Sequence, residues 1–220
     1  VGKYVELNDS YKSILESLIH AGTENEVKVN VKSIHSEYLD KENINKEFTD
    51  LDGIIVAPGF GQRGLDGKIL AVEYARVNKV PFLGICLGMQ MAVIEYARNV
   101  KKIRYANSTE ISEKCKDPVI DLMVSQKEII NKGGTMRLGA WDCEILKNTI
   151  SSKIYSKKVV SERHRHRYEF NNEYSKKIFD DNFIVAGRNP ETNLVEIVEN
   201  KDHPWFVGVQ FHPEYKSSVY

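Results

Sequence analysis

The chain has no net charge: its 220 residues carry 31 basic and 31 acidic side chains. Balanced charge gives no electrostatic reason to expect a nucleic acid or an anionic membrane as partner. Long apolar runs are missing too. None approaches the roughly 18 residues of a membrane-spanning helix, and the start has no signal-peptide pattern. Cysteine is scarce. Cys86, Cys115 and Cys143 make an odd number without disulfide or zinc spacing, which fits a reducing, cytoplasmic setting with no metal site. In that setting the sequon-like Asn107-Ser108-Thr109 carries no information. Repeats, low-complexity stretches and an obvious linker are absent, as is an initiating methionine. Because Val1–Leu7 reads as a strand from its first residue, the chain is expected to be a fragment of a longer protein. Its length suits one α/β domain with a real core.

The first half alternates strand and helix signals. Lys3–Leu7 reads as a strand, Asn8-Asp9-Ser10 as a cap for a helix from Tyr11 to about Ala21, and Val27–Ser33 as a second strand. Gly53–Ala57 reads as a buried strand, Gly67–Val77 as an amphipathic helix, Pro81–Ile85 as a strand and Leu87–Arg98 as a helix. This rhythm predicts an α/β fold with a mostly parallel central sheet flanked by helices. Residues 101–138 are polar and glycine-containing and read as long loops. After Gly139 come strand signals at Ala140–Ile145, Lys158–Glu162, Arg167–Phe170, Phe183–Arg188, Leu194–Val198 and Phe206–Gln210, an extra β-rich part in the second half.

Phe82-Leu83-Gly84-Ile85-Cys86-Leu87-Gly88-Met89-Gln90 is a strand, a turn and a helix start with a cysteine at the turn. Gly-x-Cys-x-Gly is the cysteine form of a nucleophile elbow, whose tight turn needs small neighbours. A helix N-terminus also favours the thiolate. A small buried apolar cysteine is the competing reading. Far downstream, a β-type run ends in Phe211-His212-Pro213-Glu214. A thiol nucleophile needs a base, and the base needs an orienting group. Glu214 can accept the second N–H of His212, and Pro213 restricts His212 to extended conformations. On its own, His-Pro-Glu also suits an ordinary strand-end turn.

Three further motifs are ambiguous. Gly59-Phe60-Gly61-Gln62-Arg63-Gly64 spells a dinucleotide-binding pattern, but the next strand ends in Gly84-Ile85-Cys86 rather than in the ribose-binding acid that such a site requires. In Glu162-Arg163-His164-Arg165-His166-Arg167-Tyr168 the strand period puts the arginines on one face and His164, His166 and Tyr168 on the other, which also suits a solvated strand face. Gly133–Gly139 has three glycines around Met136 and Arg137 and reads as a mobile loop.

Taken together, these blocks resemble the class I (triad) glutamine amidotransferases. Within that class the chain is similar to the glutaminase domains of the CTP synthases, over nearly its whole length and in order. The resemblance rests on Gly84–Gln90, Ala106-Asn107-Ser108-Thr109-Glu110, Gly133-Gly134-Thr135-Met136-Arg137-Leu138-Gly139, Glu162–Glu169, His203-Pro204-Trp205-Phe206 and Phe211–Glu214. The loop usually written Pro-Gly-Gly-Phe-Gly reads Ala57-Pro58-Gly59-Phe60-Gly61 here, and Tyr215 replaces the usual Phe. A flavodoxin-like three-layer arrangement is the fold this family implies.

The resemblance makes Cys86, His212 and Glu214 the catalytic triad. The N–H groups of Gly59 and Leu87 are the expected oxyanion donors. Gly59, Leu87, Gly88, Met89, Gln90, Glu110 and Arg167 are implied to bind substrate, with Glu110 on the α-ammonium of L-glutamine and Arg167 on its α-carboxylate. Gln90 suits a core or cap role equally well. Arg137 is implied to belong to a GTP-responsive lid, and Arg165 to line an anionic nucleotide site. The expected reaction is hydrolysis of glutamine through a Cys86 thioester, with no cofactor in this domain. Ammonia would then pass to a synthetase domain that uses ATP, Mg2+ and UTP to make CTP, with GTP as activator, in a homotetramer. A γ-glutamyl hydrolase and a catalytically silent binding module are the rival readings.

Overall fold

The computed structural model describes residues 1–7, 9–122 and 136–219. One sheet dominates these residues. Its strands, in spatial order, are β1 (Ile54–Val56), β2 (Phe82–Ile85), β10 (Phe206–Val209), β9 (Val195–Asn200), β8 (Phe183–Arg188), β5 (Arg137–Ile145) and β6 (Val159–His166). β1, β2 and β10 run parallel, and every later pairing is antiparallel. The β-rich second half therefore continues the parallel sheet. A smaller sheet joins β3 (Ala106–Ser108), β4 (Asp117–Leu122) and β7 (Tyr168–Phe170).

The helices are α1 (Lys12–Glu24), α2 (Ile44–Glu47), α3 (Leu65–Asn78), α4 (Leu87–Asn99), α5 (Ile150–Tyr155) and α6 (Ser175–Ile178). None of the described helices is long and apolar enough to cross a membrane. The sheet's period of two sorts its side chains into two cores. Ile54, Val56, Phe82 and Phe206 pack with α3 and α4, while Ile85, Val207 and Val209 pack with Ile14 of α1 on the other face. The result is helix, sheet and helix in three layers, as the α/β rhythm predicts.

The expected first two strands do not form. At Lys3–Leu7 the chain turns, with the Leu7 N–H on the Tyr4 carbonyl and the Lys3 N–H on the Tyr11 hydroxyl. Only a single bridge, between Gly2 and His35, remains there. Val27–Ser33 is extended, yet it forms no strand among the described residues, and Val27, Val29 and Val31 are exposed. Alternating valines fit a strand only when a neighbouring ladder takes their backbone groups. Asn8 lies outside the described residues. The helix it was expected to cap starts after Tyr11 without a side-chain cap.

The stretch 101–138 is not all loop. It contains β3 and β4, whose Ala106, Val119 and Ile120 are fully buried, and β5 begins at Arg137. The few apolar residues that form these strands are diluted by polar neighbours facing out. Gly133, Gly134 and Thr135 of the expected lid lie outside the described residues.

Candidate active site

β2 ends at Ile85, α4 starts at Leu87, and Cys86 is the whole connection. Its φ of 53° and ψ of −104° lie where L-residues rarely sit, a conformation that stores on the order of 1–3 kcal/mol. The surrounding packing holds it. A Cβ on Gly88 would lie 2.1 Å from the Val56 carbonyl oxygen, and one on Gly84 would lie 2.7 Å from the Gly88 backbone. Only glycine allows α4 to come this close to β1 and β2. The Cys86 N–H donates to the Val209 carbonyl at 2.7 Å, tying the turn to the strand that leads to His212.

His212 follows β10 by three residues. Its Nδ1 lies 2.8 Å from Oε1 of Glu214, and both side chains are buried. Pro213 opens a short 3₁₀ turn over Pro213–Lys216 that folds Glu214 back under the ring. Tyr215 stacks on the imidazole with centroids 4.8 Å apart, and the His212 N–H donates to the Arg163 carbonyl. Burial alone would push the imidazole pKa down, but interactions with the Cys86 sulfur and the Glu214 carboxylate overcome it and lift the value to about 9. At neutral pH this favours an imidazolium beside the Cys86 sulfur.

A cavity of about 330 Å³ opens over Cys86. Gly59, Leu87, Gln90, Glu110 and Arg167, the residues that the resemblance implies for substrate binding, all line it. Leu87 contributes the first N–H of α4, which no helical carbonyl can reach. Glu110 accepts the Gly61 N–H at 2.8 Å and so braces the Gly59 loop. Burial and the nearby Glu110 raise the pKa of the Tyr168 hydroxyl while Arg167 opposes them, so the two charges converge on one wall. Gln90 donates to the Tyr168 carbonyl at 2.9 Å and to Oε1 of Gln210 at 3.2 Å.

Four expected residues are elsewhere. Gly88 packs on Val56, and Met89 is fully buried against Gly208, so both serve the core behind the cavity. Arg165 lies on the exposed face of β6 and bonds to Tyr215. Arg137 is buried: its guanidinium reaches Glu169 at 3.2 Å and Glu196 at 2.7 Å and lies over the Trp141 ring. The expected alternation along β6 holds, with Glu162, His164 and His166 buried and Arg163 and Arg165 exposed. His166 and Tyr168 line the cavity together with Phe60 and Met136, and Arg167, in the break between β6 and β7, departs from the alternation by lining it too. Gln210 was missed altogether, although its amide lies 3.7 Å from the Cys86 sulfur. Its place one residue after β10, level with the elbow, was the available signal.

A cysteine on a strained elbow, a histidine held by a carboxylate and a cavity lined by both a cation and an anion form one site. The family model for glutamine amidotransferase class-I matches residues 6–220. The chain belongs to the class I glutamine amidotransferase family. It is 63% identical over 219 residues to a CTP synthase of Christiangramia forsetii, covering 100% of this chain and 40% of that protein. It is 59% identical over 217 residues to a CTP synthase of Clostridium acetobutylicum, covering 99% of this chain and 41% of that protein. The chain thus spans about two fifths of the length of these relatives. The glutaminase domain of Trypanosoma brucei CTPS, solved with bound acivicin, superposes with a TM-score of 0.92 at 38% identity, covering 99% of this chain and 86% of that one.

In this amidotransferase site Glu214→Gln is expected to lower kcat by on the order of 10²–10⁴-fold and to leave the glutamine KM nearly unchanged. Loss of the carboxylate charge lets the His212 pKa fall, so the alkaline limb of the kcat profile moves to lower pH. Steady-state kinetics from pH 6 to 10 test this. A normal kcat with a changed KM places Glu214 outside the triad.

Proposed function

We propose that this chain hydrolyses the side-chain amide of L-glutamine to glutamate and ammonia. The observation that carries the reading is the buried His212–Glu214 pair beside Cys86, opening on a cavity that also holds Glu110 and Arg167. The Cys86 thiolate attacks the amide carbon, and the carbonyl oxygen becomes negative against the N–H groups of Gly59 and Leu87. Each such donor lowers the barrier by roughly 3 kcal/mol. The imidazolium of His212 then gives its proton to the leaving ammonia, and a γ-glutamyl thioester remains on Cys86. Water, deprotonated by His212, cleaves the thioester to glutamate and restores the thiolate.

Glu110 and Arg167 bind the α-ammonium and α-carboxylate. A glutamine inside an α-linked peptide lacks both charges and would be rejected; a γ-glutamyl peptide keeps its α-carboxylate, so the γ-glutamyl hydrolase reading is separated by assaying γ-glutamyl peptides beside glutamine. In the longer protein that the relatives represent, the ammonia serves amination of UTP to CTP in a synthetase domain holding ATP and Mg2+. GTP acts through the segment containing residues 133–139, in a homotetramer, and the setting is the cytoplasm. Of the two arginines assigned to nucleotide or lid contact, Arg165 is exposed and would have only its bond to Tyr215 to give up for an anion. Arg137 would first have to leave two glutamates.

The test is intact-mass analysis after exposure to a glutamine-analogue electrophile, with peptide mapping of Cys86, Cys115 and Cys143. A single adduct on Cys86, blocked by excess glutamine, is expected. In Arg167→Ala the glutamine concentration needed for protection should rise about 10–100-fold, the range of a lost charge-assisted hydrogen bond. Equal labelling of the three cysteines, or no protection, refutes the reading.

A further inference from the structure

Two lysines are buried against the loop that carries Gly59. Lys68, in the first turn of α3, is fully buried, and its Nζ donates to the carbonyls of Ala57 and Pro58. Lys3 is 1% exposed, and its Nζ donates to the carbonyls of Phe60, at 2.9 Å, and Gly61. Its side chain runs along Gly59, with Cδ 3.4 Å from where a Cβ would stand. Four of the five carbonyls of residues 57–61 are therefore held by ammonium groups. Full burial of a lysine is rare and leaves its charge dependent on whatever it touches. On exposed helices lysine is ordinary; here neither side chain pairs with a carboxylate among the described residues.

We infer that Lys68 and Lys3 are positioning residues for the oxyanion site: by fixing the carbonyls of the 57–61 loop they aim the Gly59 N–H at the place where the substrate oxygen turns negative. This deepens the glutamine-hydrolysis reading and rests on it. The planar trans peptide supplies the mechanics. The Pro58 carbonyl and the Gly59 N–H belong to one rigid unit and point in opposite directions, so holding one orients the other. A cation on the carbonyl also polarises the peptide and makes its N–H a better donor. Preorganised donors of this kind need no reorientation as the charge develops. Burial pulls the pKa of Lys68 down to about 7 and that of Lys3 to about 8. Lys68 is faced by Lys3 and the Cys86 sulfur, and Lys3 by Glu110, Arg63 and Glu37.

The experiment compares wild-type full-length protein with Lys68→Met and Lys3→Met, which keep side-chain length and remove the charge. Glutamine hydrolysis is measured alongside alkylation of Cys86 by iodoacetamide, a reaction that forms no oxyanion. Folding is checked by circular dichroism. Both variants are expected to lose about 10–100-fold in kcat, with KM and the alkylation rate each within about threefold of wild type, since a mis-aimed donor acts only on the transition state. A kcat within threefold of wild type in both folded variants overturns the inference. So does a fall in kcat matched by the alkylation rate, which puts the lysines on the thiol instead of the loop. Failure of both variants to fold also overturns it by making them structural. A wild type that neither hydrolyses glutamine nor labels at Cys86 refutes the underlying reading instead.

Discussion

Cys86→Ser should reduce glutamine hydrolysis by at least about 10⁴-fold while the far-ultraviolet circular dichroism stays that of the wild type. Sulfur and oxygen differ little in size, and serine can occupy the same strained turn between Gly84 and Gly88. The chemistry differs greatly. A thiol ionises near 8.5, within reach of a base at about 9, whereas an alcohol does not. The substitution has a second, independent signature at His212. The sulfur is one of the two groups that lift this imidazole against its burial, so the serine variant should titrate well below about 9. Histidine proton resonances followed from pH 5 to 10 measure this directly. Turnover retained in the serine variant rejects Cys86 as the nucleophile, and an unchanged His212 titration rejects the thiolate–imidazolium pair.

Arg137→Met should destabilise the fold by about 3–5 kcal/mol, the range for removing one partner of a buried ion pair. For a domain of this size that is on the order of 10 °C in Tm. The guanidinium lies between Glu169 and Glu196, and His164 and His166 stand 3.6 Å and 3.5 Å from the same carboxylates. Burial already raises the pKa of both glutamates, and Arg137 opposes that rise. Burial, the larger cause, and Arg137 hold both histidines low and neutral; removing Arg137 relieves only the second, so burial still opposes their taking up its charge. Without Arg137 the carboxylates take up protons more strongly in the folded state than in the unfolded chain, where they titrate near 4.3. The penalty is therefore absent below that pH and grows as pH rises through the folded values. Melting curves at pH 5 and pH 8 should show the larger deficit at pH 8. An equal deficit at both would mean that Arg137 does not neutralise ionised carboxylates.

The parts of the site legible in sequence are those fixed by short-range sterics. Gly-Ile-Cys-Leu-Gly demands a sharp turn whatever surrounds it, and His-Pro-Glu brings a carboxylate back to an imidazole within one 3₁₀ turn. The alternation of Glu162–His166 was readable for the same reason. What sequence did not disclose depends on partners distant in the chain. Lys3–Leu7 and Val27–Ser33 have strand composition without a ladder to join. The strands at Ala106–Ser108 and Asp117–Leu122 form because Tyr168–Phe170 completes their sheet. Arg137 and Lys68 look like solvated cations until the carboxylates and carbonyls around them are located. Gln210 is an ordinary strand-end residue until β10 is laid beside β2.

That adjacency has a consequence for how the catalytic site arises during synthesis. β2 and β10 are neighbours in the sheet, yet Gln210 and Cys86 are 124 residues apart. The elbow can form from local sequence, but the histidine arrives only with β10, the last of the described strands. Until β10 docks between β2 and β9, the cysteine has no imidazole and no carboxylate behind it. Contacts of such long range also form slowly. Assembly of the proposed triad thus waits on β10, and a copy truncated before that strand, or folded without it, holds Cys86 without His212 and Glu214.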